Sequence, residues 1–113
     1  MHEMSVATGI INVLQSKLND LDPCKLTAMD ISIGQLAGID ESSLSFCLDT
    51  LLAERGFEPV QVRFESAPAL FKCSACTWQG TPEDFTVKCP SCSQGELEII
   101  GGRDVTLERI EVE

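Results

Sequence analysis

Two short stretches of the chain carry the residues able to do chemistry. The first holds four cysteines in two CxxC turns, Cys73 with Cys76 in "FKCSACTWQG" and Cys89 with Cys92 in "VKCPSCSQG". In such a turn two thiolates converge on one ion, and a following glycine relieves the tight bend. Four sulfurs arranged tetrahedrally select Zn(II), at about 2.3 Å per bond, and leave no position open for reaction. Iron of the rubredoxin kind uses the same donors, whereas a redox dithiol needs one CxxC rather than two facing ones. The spacing predicts a structural zinc ribbon.

The second stretch is the start, "MHEMSV", which holds the only histidine. A histidine at position two is an accident in most proteins, at a terminus that usually frays. Its chemistry says more. Histidine is too large for the aminopeptidase that trims initiator methionine, so the α-amine is expected to stay on Met1. That amine, the His2 amide and the His2 imidazole close fused chelate rings on one ion. Three nitrogens in a plane suit square-planar Ni(II) or Cu(II), with the fourth corner left for Glu3 or a donor from elsewhere.

Other reactive side chains have plainer readings. Cys47 lies on a helical apolar stripe and reads as a small core hydrophobe. Cys24 lies in a turn and receives no role. Trp78, close behind Cys76, is expected to pack over the metal cluster.

The elements that must position these groups follow from periodicity. Ala7, Ile10, Ile11, Leu14, Leu18 and Leu21 make one stripe of a helix over residues 4–21, ended by "DPC". Met29, Ile31 and Ile33 alternate with polar residues as a strand. Asp40 or Ser42 caps a second helix with Leu44, Leu48, Leu51 and Leu52 on its stripe, stopped near Gly56. Val60, Val62 and Phe64 alternate again. In the last strand, "VTLERIEVE", the apolar phase slips, and a bulge near Glu108 and Arg109 would restore a common face.

Strand, helix, strand favours a parallel pair with a right-handed crossover. Alternating strands imply one covered sheet face. The expected fold is a small two-layer α/β domain, two helices on one face of a three-stranded mixed sheet, with an inserted four-cysteine zinc-ribbon module. Residues 1–69 and 101–113 form the α/β domain and residues 70–100 the module.

Eight basic residues face eighteen acidic ones, a formal net charge of −10. This repels phosphate backbones, so nucleic acid is not an expected partner, and basic protein patches or metal cations fit better. No apolar run approaches the roughly 20 residues of a membrane span, and no signal peptide is expected. The expected setting is therefore cytoplasmic, where six cysteines suggest metal or thiol chemistry rather than a disulfide framework. One histidine, no serine-elbow pattern and no phosphate-cradling GxxxxGK argue against an enzyme; a zinc-ribbon adaptor would explain the cysteines but not His2.

Together "MHEMS", "DISIGQLAGIDESSLSFC", the paired CxxC module and the closing "RIEVE" resemble the HypA/HybF family of [NiFe]-hydrogenase maturation factors, across essentially the whole chain. The resemblance implies a nickel metallochaperone rather than an enzyme. It implies Ni(II) held through Met1, His2 and Glu3, and zinc through Cys73, Cys76, Cys89 and Cys92. The implied partners are a GTPase of the maturation system and the hydrogenase large subunit precursor. Some members bring an acidic residue from the loop before the second helix close to nickel; Asp40 holds that position and also reads as the helix cap. Certain relatives add a second histidine from the zinc module, which this chain lacks, so Glu3, Asp40, water or a partner must fill the fourth corner.

Overall fold

The computed structural model describes residues 2–82 and 88–113. Along the chain run α1 (Glu3–Asn19), β1 (Leu26–Gly34), α2 (Glu41–Glu54), β2 (Gln61–Ala67), β3 (Leu70–Cys73), β4 (Gln79–Gly80), β5 (Leu97–Gly101) and β6 (Val105–Val112). Strand order β2-β1-β6 makes one sheet and β4-β3-β5 a second. β1 runs parallel to β2, joined through α2, and antiparallel to β6.

The apolar stripe of α1 buries Ala7, Ile10, Ile11 and Leu14. That of α2 buries Leu44, Leu48 and Leu52. Both pack with Met29, Ile31 and Leu107 into one core, with Cys47 and Leu51 partly buried at its margin. Each fully buried side chain of this kind contributes about 1.5–3 kcal/mol relative to exposure, which makes this layer the main source of stability. Two helices therefore cover one face of a mixed three-stranded sheet, as the periodicity predicts.

α1 ends two residues before the expected end. The N–H groups of Asp20 and Leu21 turn back to the carbonyls of Lys17 and Leu18, at 3.2 and 3.1 Å. This tightens the last turn ahead of Pro23 and leaves Leu21 46% exposed. α2 closes where the glycine marks it, with the Phe57 N–H on the Leu52 carbonyl at 3.0 Å and the Gly56 N–H on that of Ala53 at 3.1 Å.

The bulge in β6 falls where the phase slip requires it. Arg109 faces Asp30 but Leu107 faces Ile31, leaving Glu108 as the extra residue. Val105, Leu107 and Ile110 consequently stand opposite Ile33, Ile31 and Met29, all on the helix side. On the open side, the Asp30 carboxylate accepts from Arg63 Nε at 2.6 Å and Arg109 Nε at 2.9 Å.

Gly34 and Gly102 meet where the chain passes between the two sheets: a Cβ on Gly34 would overlap the Gly102 carbonyl. Beyond them the loop after β1 is stitched to the connecting strands. Gln35 N–H donates to Ala67 O at 2.8 Å, Leu36 N–H to Gly102 O at 2.7 Å, and Ala69 N–H to Gln35 Oε1 at 2.8 Å. The Cα radius of gyration, 17.7 Å, exceeds the roughly 13 Å of a compact domain of this length. The four-cysteine end therefore projects from the helix-covered sheet instead of packing into it. No helix among the described residues is long and apolar enough to cross a membrane.

Candidate metal centre

β3 delivers Cys73 at its last residue, and Cys76 follows in the turn before β4. Cys89 and Cys92 lie in the turn between Lys88, which bridges to Glu96, and β5. The four sulfurs come within 4.8 Å of one another, with Cys73 Sγ 3.8 Å from Cys92 Sγ and Cys76 Sγ 3.6 Å from Cys89 Sγ. A tetrahedron with metal–sulfur bonds of about 2.3 Å has edges of about 3.8 Å. The donor set and its spacing fit one tetrahedral ion.

Backbone amides point at these sulfurs. Ala75 N–H reaches Cys73 Sγ at 3.3 Å, Trp78 N–H reaches Cys76 Sγ at 3.5 Å, and Ser91 and Cys92 N–H reach Cys89 Sγ at 3.3 and 3.5 Å. Such donors favour thiolate over thiol. The amides of Gln94 and Gly95 bring the Cys92 thiol down to about 6. Cys89 is also lowered: burial opposes this, and the amides of Cys92 and Ser91, with the neighbouring thiols, outweigh it. Cys76 moves the other way, up to about 12, because burial and three adjacent sulfurs outweigh the Trp78 amide. Negative charges on sulfurs this close repel one another, and a divalent cation between them removes the conflict.

Gly95, the glycine that follows the second CxxC turn, does more than relieve its bend. It is buried, and a Cβ there would overlap the Cys73 sulfur. Its position three residues after the last cysteine was the available signal. Trp78 is partly buried, with its ring against Gly80.

The amino-terminal candidates lie at the start of α1. Met1 falls outside the described residues. His2 occupies the position before the helix, exposed, with no side-chain capping bond. Glu3 Oε2 accepts the Asp40 backbone N–H at 3.2 Å, which ties the start of α1 to the start of α2. That hydrogen bond is the leading influence holding the Glu3 carboxyl below its ordinary range. Asp40, rather than Ser42, caps α2: its Oδ2 accepts the Ser43 N–H at 3.0 Å and the Ser43 hydroxyl at 2.8 Å. Among the described residues, the four cysteines form the one ready-made cluster of metal-binding side chains.

The model of the family described as "Hydrogenase/urease nickel incorporation, metallochaperone, hypA" matches residues 1–112. The chain belongs to the HypA family. Among HypA proteins it is 35% identical over 114 residues to the hydrogenase maturation factor HypA of Caldanaerobacter subterraneus subsp. tengcongensis, with 100% of both chains covered. The corresponding factor of Chlorobaculum parvum is 29% identical over 113 residues, again with 100% of both covered. The solution structure of the nickel metallochaperone HypA from Helicobacter pylori superposes with a TM-score of 0.76 at 20% identity, covering 98% of this chain and 97% of that one, so the fold is shared. As a HypA-family protein the chain is a hydrogenase/urease nickel-incorporation metallochaperone, a maturation factor and not an enzyme.

Proposed function

We propose that the chain binds Ni(II) at its amino terminus, through Met1, His2 and Glu3, and delivers it with a partner GTPase to the [NiFe]-hydrogenase large subunit precursor. The observation that supports this reading is the start of α1: the one histidine of the chain is exposed there, with Glu3 fastened beside it. The Met1 amine, His2 amide and imidazole supply three nitrogens, and a corner left open lets an acceptor enter and take the ion by stepwise exchange.

The four cysteines are proposed to hold Zn(II), closed and inert. When bound, zinc supplies cross-linking rather than reactivity, while Cys73, Cys76, Cys89 and Cys92 hold the module together and give it a docking surface. Residues 1–69 and 101–113 form the nickel-binding domain and residues 70–100 the zinc module in this reading. A net charge of −10 suits a cation and a basic patch on the GTPase. A cytoplasmic setting keeps the cysteines reduced.

Titration of the tag-free protein with Ni(II) tests the reading. One tight equivalent is expected, lost in His2→Ala and in a protein extended ahead of Met1, with circular dichroism unchanged. An extended protein that binds nickel as tightly as the native one would remove the α-amine from the site. No stoichiometric site at all would favour a zinc-ribbon adaptor.

A further inference from the structure

The loop before α2 carries an acidic residue that has two ways to serve the amino terminus. A carboxylate can ligate the metal, or the residue can hold something else in place. At Asp40 the carboxylate is already engaged, with Oδ2 taking both the N–H and the hydroxyl of Ser43. What reaches Glu3 is the Asp40 main-chain N–H, at 3.2 Å from Oε2. The two ends of one residue thus do different work: the side chain fixes the first turn of α2, and the amide fastens α1.

We propose that Ser43 and Asp40 form a clasp that positions the nickel-binding terminus through Glu3, with the Asp40 carboxylate serving the clasp and not the metal. This rests on the amino-terminal reading above.

The physical argument starts from fraying. The first residues of a chain are mobile unless tied down, and nitrogens on a mobile segment lose freedom when an ion gathers them. His2, just ahead of α1, accepts the Val6 N–H on its carbonyl at 3.0 Å, and its side chain makes no capping bond. Glu3 is the nearest residue with an anchor on another element, 37 positions away along the chain. For the Asp40 amide to point at Glu3, Asp40 must keep the extended backbone of a cap residue, φ −84° and ψ 121°. The Ser43 hydroxyl and amide hold it there. Ser43 and Asp40 are positioning residues, since each acts through Glu3.

The test separates ligand from clasp because asparagine caps a helix about as well as aspartate but offers no carboxylate. Nickel affinity of the zinc-loaded full chain is measured by competition with a metallochromic indicator, alongside the visible absorption band and the hydrogen-exchange protection of the Asp40 amide. Asp40→Asn is expected to keep wild-type affinity and band position. Asp40→Ala should weaken nickel by about five-fold, the size of a lost cap, and Ser43→Ala, which keeps the backbone half of the cap, by less, with the band unmoved in both. Glu3→Ala removes both the contact and a proposed nickel donor, so it should weaken nickel more than Asp40→Ala does and strip protection from the Asp40 amide even without metal. Adding Asp40→Ala to Glu3→Ala should cost nothing further, because both act on one contact. An Asp40→Asn protein that binds as poorly as Asp40→Ala, with a shifted band, would make the carboxylate a ligand and overturn the clasp. Losses that multiply in the double variant would overturn it equally. If His2→Ala leaves nickel affinity intact, the amino-terminal reading fails and takes the clasp's role with it; the amide measurement still reports whether the contact exists.

Discussion

Gly95 and Cys73 occupy each other's space: the sulfur of the first knuckle lies where a side chain on the glycine of the second would begin. The same glycine accepts the Cys89 N–H on its carbonyl at 3.0 Å and donates its own N–H toward Cys92. One bare residue thus lets the two CxxC turns close on a common centre. Gly95→Ala is expected to push Cys73 out of the tetrahedron and weaken zinc by about ten-fold or more, the range seen when residues behind metal ligands are changed. Metal binding is part of the folding energy of such a module, so its melting temperature should fall too. Chelator competition with calorimetry measures both, and an alanine variant with wild-type zinc affinity would contradict the close approach.

Asp30 anchors the open face of the main sheet between two arginines. Hydrogen bonds from Arg63 and then Arg109 hold its carboxyl below the ordinary aspartate range, and Arg63 also reaches Glu111. A depressed carboxyl contributes stability above its unfolded pKa, about 3.9, and loses it as pH falls through the folded value. Asp30→Asn should therefore melt below wild type at neutral pH, with the gap closing under acid conditions below about pH 4. A gap that is constant across that range would show that the pairing contributes through packing alone.

Leu48 is fully buried where α2 meets the core. Truncation to alanine removes buried carbon and leaves a cavity, at a cost of about 2–5 kcal/mol. Chemical denaturation should show this loss in the α/β part while zinc content stays at one per chain. A loss well under that range would mean the helices collapse into the space.

Nickel and zinc should respond differently to acid. In the proposed nickel site the amine, amide and imidazole would each have to lose a proton to bind, so apparent affinity should fall as pH falls. The visible band of the nickel-loaded protein should disappear on mild acidification while zinc, enclosed by four sulfurs, is retained and circular dichroism is unchanged. Nickel affinity independent of pH would point to carboxylates, and Glu3 and Asp40 would be the residues to change.

Much of this molecule follows from local pattern. The stripe in α1, the alternation in β1 and β2, the slipped phase of "VTLERIEVE" and the two CxxC turns each report how one short segment must face its surroundings, because side-chain direction has a fixed period in helix and strand. From these came the helices on one sheet face, the bulge at Glu108 and the four sulfurs. Periodicity could not stop α1 at Asn19, since Leu21 continues the stripe while the hydrogen bonding of the turn leaves it exposed. The module's own sheet was also hidden, because β3 and β4 are too short, at four and two residues, to show an alternation. Asp30 with Arg109, Glu3 with Asp40, and Gly95 with Cys73 are separated by many residues along the chain. Whether such pairs meet depends on how packed elements cross and on which backbone amides remain free at their ends. Only the tertiary structure could decide those contacts, because no local period encodes the distance between two elements.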